Sequence, residues 1–292
     1  MKFHLSARKP FNFLSVVNSH GWRQLAPFSF DENTNTLSYV LRLSSGRVVE
    51  LKLRDATDGV TVETQKLNKS ERKEVADKVT WMFSLDMDFA LFYTVSRGEP
   101  KLARVKKRAL GRVLRSPTLF EDVIKTILTT NTLWAATKNM TLKLVNEFGD
   151  PLEKDTNRKA FPTPEAIASS TPEFIREKIR VGYRAPAIYN LAFRVASGKF
   201  DLESLKTSNL PTLELRKELL TINGVGPYAA ANLLMILGRH DFIPIDSSAL
   251  KVVSHEWYRG EPITAKEIEK RFEHWAEFKG LAFWFWDWEY DG

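Results

Sequence analysis

The chain has 292 residues, a formal net charge of +7, a pI near 9.4 and no cysteine. Lack of cysteine excludes disulfides, zinc–thiolate centres, iron–sulfur clusters and a thiol nucleophile, and the modest positive charge permits a polyanionic partner without demanding one. The length supports a real core over two or three packed subdomains; no apolar run is long enough to span a bilayer, and the opening MKFHLSARKPFNF has no signal-peptide apolar region, so an intracellular protein is expected.

Residues 1–68 read as a strand-rich unit. Leu37–Leu43 (LSYVLRL) and Val48–Leu53 (VVELKL) alternate in polarity around Ser44-Ser45-Gly46, a hairpin signal. Phe11–Val17 is an element leading into Gly21-Trp22-Arg23, and Val60–Thr64 reads as a further strand. Trp22 and Phe28 suit core positions, given the area such rings bury. From residue 69 onward the pattern is helical. Ser70 is placed as an N-cap with a glutamate close behind it, and Val75, Val79, Met82 and Phe83 recur at helical spacing. Met87–Arg97 continues as far as Gly98-Glu-Pro. Lys101–Arg115 then carries seven cations, which read as a solvated face or, secondly, as a nucleic-acid contact.

Ser116-Pro117 opens a helix with Phe120, Val123, Ile124, Ile127 and Leu128 on one face. A break at Thr129–Thr132 separates it from a second amphipathic helix stopped by Phe148-Gly149. Phe161-Pro-Thr-Pro-Glu-Ala is an extended proline segment entering a short capped helix. Val181-Gly-Tyr-Arg is a turn before another helix. Leu210–Leu220 and Tyr228–Leu237 are helices flanking Ile222-Asn-Gly-Val-Gly-Pro-Tyr. After Pro244-Ile-Asp-Ser-Ser comes a helix over Ser247–Tyr258. Another follows over Ile263–Phe278, opened by Thr264 and Glu267 at capping-box spacing. The aromatic run Gly280–Trp288 packs on the helical body or walls a pocket.

The glycine turn carries the most chemistry. Gly224 and Gly226 allow left-handed or otherwise strained backbone and close approach of a ligand to the amides. The helix after them begins with unpaired N–H groups and the positive end of its dipole, a place for a phosphate. Pro227 sits where a helix tolerates proline. Asp246, placed before the next helix, reads as an N-cap or as a functional carboxylate.

An L-x-x-x-G-V-G hairpin followed about twenty residues later by P-x-D resembles the helix-hairpin-helix (HhH-GPD) DNA glycosylase superfamily. Supporting passages lie at Asn131 to Phe148-Gly149, Phe161-Pro-Thr-Pro-Glu-Ala, Val181-Gly-Tyr-Arg-Ala and, more loosely, Phe11–Phe28. Together they are similar to the alkylpurine and 8-oxoguanine branches. The resemblance implies an α+β fold: an N-terminal antiparallel sheet domain over 1–68, then an all-α glycosylase region of two helical subdomains over 69–292, with the DNA-binding hairpin at about 213–237. It implies a partner, double-stranded DNA containing a damaged base, and a monomer with no required cofactor. In the family, hairpin carbonyls hold a Na+ or K+ ion; by position these are Leu220, Ile222 and Val225.

The same resemblance assigns roles. Asp246 is the catalytic carboxylate near C1′. Gly224, Gly226, Tyr228 and Ser248 contact DNA, Lys251 is a phosphate contact or a surface lysine, and Asn131 enters the duplex at the vacated position or contacts the estranged base. Trp22, Tyr228 and Trp284 are candidates for the base pocket. Relatives with lyase activity carry a lysine two residues past the second hairpin glycine, where this chain has Tyr228. Tyrosine cannot form the imine, so the expectation is a monofunctional glycosylase, with an aromatic ring suited to stacking on a cationic alkylated purine. The other readings are an 8-oxoguanine or mismatch-specific glycosylase, and a helix-hairpin-helix module that grips DNA without chemistry.

Overall fold

Alternating polarity near the N-terminus produces a five-stranded antiparallel sheet of order β1-β5-β4-β3-β2 in the computed structural model, which describes residues 1–289. The strands are β1 (Lys2–Ser6), β2 (Phe28–Asp31), β3 (Thr36–Arg42), β4 (Val48–Ala56) and β5 (Gly59–Glu63). The expected hairpin is β3–β4, in which Leu37, Tyr39 and Leu41 face Leu53, Leu51 and Val49. All six are buried, so one face of the sheet is fixed to the core by its period of two. The segment after Phe11 is a helix, α1 (Phe13–Val17), capped by Asn12.

Helix α2 (Lys69–Phe83) starts one residue before the expected serine. Its N-cap is Asn68, whose side chain accepts from the Glu71 amide while Glu71 returns a bond to Asn68, a full capping box. Helix α3 (Ala90–Val95) follows. Beyond it come α4 (Leu119–Thr129), α5 (Trp134–Phe148), a small hairpin of β6 (Pro151–Leu152) and β7 (Asp155–Lys159), and α6 (Pro164–Ala168), α7 (Pro172–Phe174) and α8 (Ala185–Ala196). The C-terminal helices are α9 (Thr212–Leu220), α10 (Pro227–Ile236), α11 (Ser247–Tyr258), α12 (Ala265–Phe272) and α13 (Lys279–Phe285).

Two compact units emerge: one of residues 1–87, 112–207 and 222–224, the other of 88–111, 208–221 and 225 onward. The sheet therefore shares its unit with α4 to α8, and the division does not fall at residue 68. In that unit α4 is buried almost all round, including its charges. Glu121 accepts from Tyr39 Oη at 2.5 Å and from Lys125 Nζ at 2.6 Å. Asp122 accepts from Trp22 Nε1 at 2.7 Å and from the Ser116 amide at 2.9 Å. The Glu121 and Lys125 charges are buried as a hydrogen-bonded ion pair, the condition under which buried charges persist. Gly149 stops α5 as expected and does so in extended backbone, with φ −79°. Glycine is needed there because a Cβ would lie 2.2 Å from the Ala160 carbonyl oxygen.

In the other unit, α9 and α10 form the hairpin, and α12 opens with the Thr264–Glu267 capping box expected of it. The aromatic tail packs. Trp286 lies 5.3 Å from Phe272 and 5.4 Å from Trp257 between ring centroids.

Candidate functional site

Helix α10 explains the hairpin's form. Apart from Pro227, Tyr228 and Asn232 its residues are buried Ala, Leu, Met and Ile, so burial of that surface fixes the helix and with it the turn. Gly224 takes φ +85°, which a Cβ would strain, and a Cβ there would lie 3.0 Å from that of Ala187. Gly226 differs from expectation. It is the N-cap of α10 in ordinary extended backbone (φ −91°, ψ −174°), and a Cβ on it would meet nothing within 4 Å. No side chain caps α10, which leaves its first-turn amides for water or a ligand. Nothing among the described residues requires glycine at 226.

Asp246 lies downstream, preceded by the buried Ile243 and Pro244. It is the N-cap of α11: one carboxylate oxygen accepts from the Ala249 amide at 2.8 Å. The residue is exposed, so its second oxygen is open to a substrate. Tyr228 feels this carboxylate. Burial first, and the Asp246 charge second, hold the phenol above its ordinary range, against a hydrogen bond with Asn232. The phenol is thus neutral at physiological pH and offers an aromatic face rather than a nucleophile. Ser248 and Lys251 are both exposed and three residues apart on α11, hence on one face. Trp284 is half-buried on α13.

Sequence reasoning missed two features here. Asn232, one turn beyond Tyr228, donates from Nδ2 to the Tyr228 carbonyl at 3.1 Å; a lone amide in an apolar helix was its only signal. Tyr228 also walls an open cleft of about 530 Å³ with Pro227, Phe242 and Ile245.

Asn131 belongs to the sheet-bearing unit. Its backbone is left-handed (φ +47°), its side chain is exposed, and its Nδ2 donates to Tyr183 Oη at 3.2 Å. Behind it Arg184, 7% exposed, donates to the carbonyls of Thr130 and Asn131. A buried guanidinium therefore holds the loop while Asn131, Tyr183 (64% exposed) and Leu133 (80% exposed) project to solvent. Trp22, in contrast, is 7% exposed and commits its indole N–H to Asp122, the core role its sequence also allowed.

The cations of Lys101–Arg115 do not act as one face. Lys101 pairs with Glu256 at 2.6 Å and Arg104 with Asp287 at 2.7 Å. Arg112 and Arg115 are buried.

A family model described as HhH-GPD superfamily base excision DNA repair protein matches residues 124–277. The chain is 27% identical over 229 residues to the DNA-3-methyladenine glycosylase of Bacillus subtilis, across 76% of this chain and 75% of that one. Its fold matches the 3-methyladenine DNA-glycosylase of Archaeoglobus fulgidus with a TM-score of 0.74 at 23% identity, covering 97% of each. It also matches the 8-oxoguanine glycosylase/lyase of Clostridium acetobutylicum in complex with double-stranded DNA, with a TM-score of 0.73 at 21% identity, covering 98% of this chain and 95% of that one. The matched stretch takes in more than half of the chain, the hairpin glycines and Asp246 among it, and the chain belongs to the HhH-GPD superfamily of base excision DNA repair proteins.

Proposed function

We propose that the protein is a monofunctional DNA glycosylase that removes an alkylated purine from double-stranded DNA and acts as a monomer. The observation that carries this reading is Asp246. Its carboxylate is fixed by one bond to Ala249, exposed on the other side, and close enough to Tyr228 to perturb it. Cleaving an N-glycosidic bond builds positive charge on the sugar, and a fixed carboxylate stabilises that charge and orients the attacking water. Water adds its oxygen to C1′ and gives up a proton to Asp246 and then to solvent, the C1′–N bond breaks, and the cationic alkylated base leaves with the bonding pair as a neutral base. The nucleotide must first leave the stack, at a cost of a few kcal/mol. Backbone contacts at the Gly226 N-cap offset that cost, as does Asn131 entering the gap. The family's Na+ or K+ would be held by the carbonyls of Leu220, Ile222 and Val225, where it would supply positive charge that favours a phosphate.

Tyr228 supports the monofunctional, alkylpurine reading. A neutral tyrosine in the place of the lyase lysine forms no imine with C1′, and its ring attracts an electron-poor, cationic base. The test is base release from labelled duplexes carrying 3-methyladenine, hypoxanthine, 8-oxoguanine, uracil or thymine opposite guanine, read with and without alkali and with borohydride. Release of 3-methyladenine, strand breaks only after alkali and no borohydride-trapped complex are expected. A trapped complex would overturn the monofunctional reading, and release of 8-oxoguanine alone would overturn the alkylpurine reading.

A further inference from the structure

The cleft of about 530 Å³ beside Tyr228 is walled by Arg216 of α9, Pro227 and Tyr228 at the start of α10, Phe242 and Ile245, and by α12 and Lys279. Its charged lining is Arg216, Lys266, Lys270 and Lys279 against Glu269 and Glu273. Lys279 is neutralised by Glu269 at 2.6 Å. Lys266 and Lys270 are exposed, lie four residues apart on α12 and so share a face, and neither has an ion pair among the described residues. Arg216 adds an independent signal. Its guanidinium lies 5.0 Å from the centroid of the Phe242 ring, and its Nε is buried without a hydrogen-bond partner. A stacked guanidinium beside a cationic rim is a setting that takes phosphate.

We infer that this cleft continues the DNA track from the hairpin, with Lys266 and Lys270 each neutralising a backbone phosphate and Arg216 donating to one of them. The cleft begins at Pro227, the first residue of the helix whose capless N-terminus serves the preceding phosphate. The inference rests on the protein binding DNA. That premise fails separately, if the unaltered protein binds no duplex in a salt-dependent way.

The experiment measures affinity for undamaged and damaged duplexes between 50 and 200 mM salt. It compares the full chain with Lys266→Ala, Lys270→Ala, the double variant, and Lys2→Ala as a charge control in β1. Each lysine that neutralises a phosphate contributes about 0.9 to the log–log salt slope. The double variant should therefore lose about 1.8 from the slope, and its affinity fall over that salt range should be about twelvefold smaller than the parent's. Both duplexes should be affected alike, because phosphate contacts carry no sequence information. Both lysines are exposed, so the variants should fold, which thermal unfolding checks. Arg216→Gln should weaken binding without abolishing it. A double variant with the parent's slope overturns the inference. So does protection against unfolding by inorganic phosphate that is lost in the double variant while the slope stays unchanged, since the cleft would then take a free anion instead of DNA.

Discussion

Replacing Asp122 by asparagine tests the buried network beneath the sheet. The carboxyl is completely buried, and burial is the main cause that lifts its pKa from 3.8 to about 7, against the hydrogen bonds from Ser116 and Trp22. Below the unfolded value both states are protonated and the group contributes no pH dependence. Above it, the native state keeps a proton that the unfolded chain has released, so stability falls with rising pH until the folded pKa is passed. A shift of about three units corresponds to about 4 kcal/mol. His20 works in the opposite sense. Burial, with the Leu114 carbonyl opposing and the Lys125 charge assisting, lowers its pKa from 6.5 to about 4, so its contribution is fully present above 6.5 and is lost as pH falls toward 4. In the parent the two slopes oppose one another between about pH 4 and 6.5. Asp122→Asn keeps an oxygen acceptor for Trp22 and Ser116 but cannot titrate. Urea unfolding from pH 4.5 to 8 should show the variant gaining on the parent by up to about 1.4 kcal/mol per pH unit. A difference between the two proteins that stays constant with pH would refute the assignment.

Gly226→Ala should leave thermal stability within about 0.5 kcal/mol and weaken duplex binding. Gly224→Ala should cost about 1–2 kcal/mol, from its positive φ and the contact with Ala187. Thermal melts and fluorescence anisotropy separate the two. Arg112 is 2% exposed and donates to the carbonyls of Arg8, Pro10, Ser84 and Met87. Lysine cannot serve that fork, and Arg112→Lys should destabilise by about 3 kcal/mol in urea titrations. Tyr228→Phe should retain single-turnover base release, because only the ring is used, whereas Tyr228→Ala should lose about tenfold or more, the equivalent of about 1.4 kcal/mol of stacking.

The hairpin was legible because its constraints are local: a glycine that needs positive φ, a proline at the first helical position, and an aspartate that caps the next helix. The capping box at Thr264 and the β3–β4 hairpin were readable for the same reason. Other features depend on distant partners. β1 (KFHLS) does alternate in polarity, but Phe3 and Leu5 are only half-buried and its partner β5 lies far along the chain, with no turn between the two to read. Ser70 looked like a cap, but the residue three beyond it is Lys73; Glu71 is correctly spaced for Asn68. Glu121 and Lys125 have the spacing of a solvated helix pair, yet both are buried. Trp22 fitted a pocket wall or a core, and only Asp122, a hundred residues away, settles where its indole points. At Gly149 the glycine was legible and its reason was not, since the close approach involves the Ala160 carbonyl.

Asp246→Asn tests the central claim most directly. Asparagine caps helices about as well as aspartate, so the bond to the Ala249 amide and the melting temperature should survive, as should duplex binding. Single-turnover release of 3-methyladenine should fall by at least about a hundredfold, the scale of removing one fixed electrostatic stabiliser of a transition state. Loss of release with stability and binding intact is the predicted result. Base release at the parent's rate by a folded Asp246→Asn protein would contradict the account.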